Sequence, residues 1–377
     1  MRMQQPGFED GAGIAMGSVA QARPSADGAT PYTALEPRAV WRQAVAETHA
    51  LQLENLYRRK FPITAETTIS TAGSCFAQNI AGALKRNGFN FNDFEPAPPL
   101  LAAALHKTYN YGVYSARYCN IYTARQLLQT FDRAFGLFEP YETVWAKGDG
   151  YVDPFRPLLE PEPFESVAEL ERARETHFAA LRRLFQETNV FILTLGLTEA
   201  WLSKRDGTVF PLCPGTVAGR FDDADYEFKN FNSFEIFEDL VAFMTKVSEI
   251  NSGVRFILTV SPVPLTATKS DCHVLAATTY SKSVLRAVAG HLASELAFVD
   301  YFPSYEIIAA PSMRGMFYDS NLRTVNSAGV DYVMSHFFRE HLPSQPSLAG
   351  PAKALPPIGD LEAVCEEMMQ AQELGYA

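Results

Sequence analysis

Cysteine is scarce in this 377-residue chain. Five are present (Cys75, Cys119, Cys213, Cys272 and Cys365), widely spaced, odd in number and without a Cys-x-x-Cys pair. That excludes a disulfide framework and a cysteine-ligated zinc site, and it is the pattern of reduced thiols in a cytoplasmic protein. Basic residues are also short: 32 Lys and Arg against 43 Asp and Glu, a formal net charge of −11. A general nucleic-acid binder needs a basic face to replace counterions, so nucleic acid is not an expected partner. No apolar run approaches the ~20 residues of a membrane span, and no charged start followed by an apolar stretch marks a secretory leader. There is no Walker motif, dinucleotide fingerprint or metal-ligand spacing, so neither a cofactor nor a metal is expected. No internal repeat appears, and oligomeric state is not legible.

What is present is the balance of a globular protein with a sizeable core, 47% hydrophobic and 20% charged. Residues 1–30, rich in Gly, Ala, Ser and Pro, read as a disordered arm. Residues 31–341 read as one α/β domain, opening with a helical stretch over Trp41–Lys60. Four β-type runs, Thr67–Ala72, Val190–Leu195, Val254–Val260 and Leu296–Tyr301, alternate with helical patterns. Those patterns cover Phe76–Arg86, Val167–Glu187, Ser233–Ile250, Thr279–Leu296 and Ser327–His341. Such alternation predicts a mostly parallel sheet between helices, with the ligand site beyond the carboxyl ends of the strands. Residues 89–160 break the alternation. They are dense in proline and aromatics, with Tyr109, Tyr111, Tyr114, Tyr118 and Tyr122 close together. This insertion reads either as a functional cover over one end of the sheet or as a satellite core. Residues 342–377 read as a proline-rich linker and an acidic amphipathic helix, a cap or an oligomer contact.

The densest signal is Thr68–Ala77, Thr-Ile-Ser-Thr-Ala-Gly-Ser-Cys-Phe-Ala. A strand ends, Gly73-Ser74-Cys75 turns a corner, and a helix with Phe76, Ile80 and Leu84 on one face begins. A serine there lies among the free N–H groups of a helix N-terminus, which favour developing negative charge. Ser74 is therefore a candidate nucleophile. The competing reading is an ordinary helix N-cap. Cys75 is the second candidate nucleophile, or simply packing.

The string Gly73-Ser74-Cys75-Phe76-Ala77 resembles the signature of the GSCFA-domain family. Further similarity lies in Tyr111–Thr123, Thr194–Trp201 (TLGLTEAW), Thr259–Leu265 (TVSPVPL) and Thr279–Arg286 (TYSKSVLR). The resemblance runs over roughly residues 30–340 and extends to the SGNH/GDSL hydrolases. It implies a three-layer α/β/α sandwich with a flavodoxin-like sheet. It also implies a serine esterase or O-acyltransferase acting on an acyl ester, such as that of a polysaccharide. The alternative is a catalytically degenerate module that binds a glycan or an acylated ligand; a third is a scaffold using the acidic C-terminal helix.

The resemblance places the nucleophile at Ser74. The oxyanion site is expected from backbone N–H groups near Ser74 and Cys75, with Gly196, Thr198 and Asn120. Gly196-Leu197-Thr198-Glu199 stands where SGNH enzymes carry Gly-x-Asn-Asp, so a hydroxyl replaces an amide donor, and Glu199 either holds a charged partner or caps the next helix. Asn120 either donates an amide or forms a turn. The late Asp-x-x-His of those enzymes is replaced by Asn321 and Thr324, neither of which can serve as a base. Among seven histidines, His273 lies in a loop at the carboxyl edge of the sheet and becomes the candidate base, with Asp271 to orient it. His291, His336 and His341 read as surface residues of late helices. Lys282 and Arg286, one turn apart, are either an anion-binding pair or a solvated helix face. Tyr280 and Trp201 are either pocket lining or core.

Overall fold

The structure is a computed structural model and describes residues 30–342. The expected N-terminal arm, except its last residue, and the C-terminal acidic helix lie outside the described residues.

Strand β1 (Ile69–Gly73) opens the core and leads into helix α1 (Cys75–Arg86). Helix α1 buries Phe76, Ile80, Ala83 and Leu84, a stripe at helical spacing. It stops where the Asn87 side chain donates to the Ala83 carbonyl (2.9 Å) and Gly88 turns with φ +73°. The chain continues through α2 (Ala124–Ala134), the hairpin β2 (Trp145–Lys147) and β3 (Gly150–Val152), and α3 (Val167–Glu187). Then come β4 (Val190–Leu195), β5 (Glu199–Ser203), β6 (Val209–Phe210), β7 (Tyr226–Asn230), α4 (Ser233–Ile250), β8 (Arg255–Val260) and α5 (Val274–Glu295). Strand β9 (Val299–Tyr301), α6 (Ser304–Ala309) and α7 (Ser327–His341) complete the described fold.

The central sheet has the order β1-β4-β8-β9, every pair parallel. Its side chains alternate between two apolar layers, as a sheet covered on both faces requires. Phe191, Leu193 and Leu195 of β4 pack with α2, α3, α4 and α5, whereas Val190 and Ile192 pack with α1, α6 and α7. This is the expected three-layer α/β/α arrangement. Beyond β1 a single parallel bridge, Ile69 to Phe91, marks the place of a further strand. Counting it, the order is that of a doubly wound flavodoxin-like sheet, in which the chain reverses direction between β1 and β4. The site expected of such a sheet lies at the carboxyl ends of those two strands.

Three elements differ from the sequence reading. Trp41–Lys60 is not one helix but short 3-10 and π-type turns over Pro37–Gln52 followed by irregular chain. Its apolar residues do not form one stripe: Leu51 stays exposed while Leu53 and Tyr57 enter the core, so no packed face supports a helix. The insertion contains helix α2, whose Ala124, Leu127, Phe131 and Ala134 lie in the main core. A three-stranded antiparallel sheet, β6-β5-β7, follows Gly196 where a helix start was expected.

Two histidines expected at the surface are buried. His336 and His341 lie in the α7 layer, and the Tyr57 hydroxyl meets His341 Nε2 at 3.0 Å. His177 on α3 is buried too, its Nδ1 2.7 Å from Glu95. Burial pushes all three imidazoles below the ordinary histidine range, to about 4 for His177 and His336 and about 3 for His341. The unfolded chain, with histidines near ~6.5, takes up protons first on acidification. Stability is thus full above about pH 6.5 and falls as the pH drops towards 4. Urea unfolding midpoints at pH 7.5 and pH 5 should differ by the equivalent of a few kcal/mol, on the order of ~1 kcal/mol or more per histidine.

Candidate active site

Gly73 ends β1 with φ +138°, a conformation closed to side chains. A Cβ there would stand 2.2 Å from the Thr194 carbonyl oxygen. The glycine thus lets β1 and β4 close together at the point where Ser74 leaves the sheet. The Ser74 N–H donates to that same carbonyl (3.3 Å).

Ser74 occupies the N-cap position of α1, with extended backbone (φ −74°, ψ −179°), but its side chain makes no cap hydrogen bond. The hydroxyl is buried and has no hydrogen-bond partner among the described residues. A buried hydroxyl left unpaired is costly, so the position is not explained as an ordinary N-cap. Cys75, the first residue of α1, is buried against the core.

Gly196 approaches Ser74 from the end of β4. A Cβ on Gly196 would lie 2.9 Å from Ser74 Cβ, 3.4 Å from Ser74 Oγ and 3.2 Å from the Tyr122 carbonyl. Only glycine leaves room for that approach. The insertion closes the third side: the Ile121 N–H donates to the Gly73 carbonyl (2.9 Å) and the Leu197 N–H to the Tyr122 carbonyl (2.9 Å). The insertion therefore both contributes to the core and covers the switch point.

Asn120 is buried in a polar network rather than exposed in a turn. Its Oδ1 accepts from the Tyr114 hydroxyl at 2.6 Å, and the Gln78 amide reaches both the Tyr114 hydroxyl (2.6 Å) and Asn120 Oδ1 (3.4 Å). The residue before it, Cys119, is held at φ +58°, an unusual backbone for a non-glycine. Gln126 of α2 ties the loop down, donating to the Asn120 carbonyl (3.0 Å) and accepting from the Tyr122 N–H (2.8 Å).

Thr198 is buried beside this end of β4, its N–H donating to the Ser281 hydroxyl (3.2 Å) while its own hydroxyl finds no partner among the described residues. Among the described residues Glu199 pairs with no cation, and it caps no helix. It begins β5 and accepts from the Thr268 hydroxyl (2.7 Å), and partial burial raises its carboxyl above the ordinary range.

His273 is exposed and is the N-cap of α5, which begins five residues before the expected start. Its Nδ1 accepts from the Leu275 N–H (3.1 Å). Asp271 is exposed as well and makes no hydrogen bond to His273 among the described residues. The structure thus brings together Ser74, Gly196, the Asn120 loop and Thr198, and gives His273 a cap role. Asn321 and Thr324 bond to each other (2.9 Å) in an exposed turn.

The residue whose place the sequence obscured is Lys282. It is fully buried, and its Nζ donates to the Gly196 carbonyl at 2.7 Å. It does not share a solvated face with Arg286, which pairs with Glu306 and covers the Tyr301 ring (4.0 Å). The only hint was that Ala277, Ser281 and Lys282 continue the buried side of α5, along which a lysine among small residues can pass inward. Tyr280 is exposed, and Trp201 packs on Phe221 and Phe228.

A profile of the GSCFA family matches residues 68–337. The chain belongs to the GSCFA family. The match begins just before β1 and ends within α7, so the GSCFA domain and the three-layer core coincide. The signature after which the family is named is the Gly73–Ala77 corner itself. No curated protein and no solved structure matches the chain. Among the described residues, no helix of the GSCFA domain is long and apolar enough to cross a membrane.

Proposed function

We propose that this GSCFA protein is a serine esterase or O-acyltransferase related to the SGNH hydrolases. The observation that carries this reading is the buried Ser74 hydroxyl, without a hydrogen-bond partner among the described residues, at the β1–α1 corner and the switch point of a parallel sheet. Ser74 Oγ adds to the carbonyl carbon of an acyl ester, the carbonyl oxygen becomes the oxyanion, and its collapse expels the alcohol, which leaves with a proton. Water or a sugar hydroxyl then takes the acyl group from Ser74 and restores its proton. The α1 N-terminal N–H groups, with Asn120 and Thr198, stabilise the oxyanion.

In this reading His273 receives the serine proton. Its Nδ1 now caps α5, a role that leaves the neutral ring's proton on Nε2, so taking a proton at Nε2 requires the cap to open first. Lys282 acts as a positioning residue by holding the Gly196 carbonyl and hence the shelf facing Ser74. Lys282→Met keeps the length and the apolar stem of the buried side chain, so the fold is expected to survive. The rate of covalent capture at Ser74 should nevertheless fall by roughly tenfold to a hundredfold, from displacement of the shelf. Parallel unfolding curves and capture kinetics check both halves.

A second reading, a binding module without turnover, is favoured by the exposed Asn321–Thr324 turn and by His273 serving as a cap. Treatment with a fluorophosphonate followed by intact-mass analysis separates the two. A single adduct supports the serine enzyme, and an unmodified protein that still binds acyl glycans saturably supports the binding module.

A further inference from the structure

A second polar site lies away from Ser74, between α2, α3 and the β2–β3 region. It is a partly enclosed cleft lined by Gln126, Gln129, Arg133, Phe155, Arg156 and His177, among others. It has room for roughly one or two water-sized groups.

Arg133 is the unusual member. It is 9% exposed, its guanidinium lies 3.3 Å from the centre of the Phe155 ring and 5.3 Å from that of Phe178, and it forms no hydrogen bond or ion pair through its side chain with any described residue. The carboxylates nearby are already engaged. Asp153 Oδ2 accepts from Arg156 Nε (3.1 Å) and NH2 (3.0 Å), and Oδ1 accepts from the Phe155 N–H (3.1 Å) and faces Arg174 (3.6 Å). Glu95 Oε2 takes the Arg117 N–H and meets His177 Nδ1, each at 2.7 Å, and Glu160 pairs with Arg117 at 2.6 Å. Burial opposes the charge on Glu95, but His177, Arg156 and the Arg117 N–H outweigh it and hold the carboxyl at about 2. Glu95 is therefore ionised, and His177, held low by burial, is neutral at pH 7.

The cluster then contains four guanidiniums (Arg117, Arg133, Arg156, Arg174) and three carboxylates (Glu95, Asp153, Glu160). One buried positive charge is left over, and of the two guanidiniums that line the cleft it falls on Arg133, since Arg156 is paired with Asp153. Burial lowers the Arg133 pKa to about 9, still above neutrality, so its charge persists. An uncompensated buried charge is among the most expensive features a fold can keep, and a counter-ion removes that cost.

We propose that this cleft binds one small monovalent anion, a halide or a short carboxylate, on the Arg133 guanidinium. The rings of Phe155 and Phe178 hold the guanidinium in place, and its N–H groups, which have no acceptor among the described residues, take the anion. The anion ties α2 to α3 and so braces the insertion. The proposal does not rest on the acyl-transfer reading.

Thermal unfolding of the full chain, titrated with sodium chloride, bromide, formate or acetate against sodium gluconate at constant ionic strength, tests it. Gluconate is too large for the cleft. The expected result is a saturable rise in Tm with a small anion, with half-saturation moved up at least about tenfold in Arg133→Met. The halide and carboxylate arms show which chemistry is preferred. Equal responses of the wild type and Arg133→Met, or no response beyond gluconate, overturn the proposal. Should Arg133→Met fail to fold, crystals of the native protein soaked in bromide decide it. An anomalous peak at Arg133 supports the site, and bromide bound only elsewhere refutes it.

Discussion

Ser74→Ala eliminates covalent capture by a fluorophosphonate and any esterase turnover, with no loss of unfolding free energy relative to the parent. The first half follows from removing the hydroxyl oxygen that forms the acyl-enzyme in this mechanism, and losses of this kind reach ~10³-fold or more. The second half follows from the structure: the Ser74 hydroxyl makes no cap bond and no other hydrogen bond with a described residue, so its removal breaks none. An ordinary N-cap serine behaves in the opposite way, costing about 1 kcal/mol on removal with no change in reactivity. Full labelling of Ser74→Ala would sink the mechanism, and labelling transferred to Cys75 would reassign the nucleophile. His273→Ala, compared alongside, separates base from cap. A base loses capture rate by ~10²-fold or more, whereas a cap loses stability and leaves the rate unchanged.

Gly73→Ala has the largest expected effect on the fold itself. The new Cβ must occupy φ +138° and would stand 2.2 Å from the Thr194 carbonyl oxygen and 2.8 Å from the Thr194 carbonyl carbon. Neither neighbour is a flexible side-chain tip that can turn aside, because both belong to the backbone of the central strand β4. Relief requires β1 and β4 to separate at the site, so a loss above about 4 kcal/mol is expected, enough to leave little folded protein. Gly88→Ala is the control. Gly88 also has positive φ, +73°, but an added Cβ meets nothing within 4 Å. Its cost is backbone strain alone, about 1–2 kcal/mol. Chemical unfolding of both variants should show that difference; equal losses would mean that the close approach to Thr194 is not what demands glycine.

Much of the core was legible in the sequence because it rests on local patterns. The β1, β4 and β8 runs and α1, α3, α4 and α7 carry uninterrupted β-type or helical periodicity, and their ends fall within a few residues of the expected ones. The Gly73–Ala77 corner was legible for the same reason, a strand, a turn and a helix in immediate succession. The insertion was less so. The period of α2 is short and lies among aromatics that suit strand, loop or core equally, and only its packing on α3 and α4 settles it as a helix. His273 illustrates the limit at the site. Its position near the strand ends was readable, but whether it caps α5 depends on where that helix starts, and the expected start at Thr279 left it in the preceding loop.

The amino-acid order by itself determined the α/β alternation, the family and the serine corner, because each depends on neighbours within a few residues or one helical turn. Tertiary structure decided which distant groups meet that corner. Gly196 lies over 100 residues away, yet packs against Ser74 because β1 and β4 are adjacent in the sheet. Lys282 turns inward to the Gly196 carbonyl because α5 packs along β8. Arg133 is left with an unmatched charge because Arg156 and Arg174 have already taken Asp153. Strand order and competition for partners set these relations, and neither leaves a local trace in the chain.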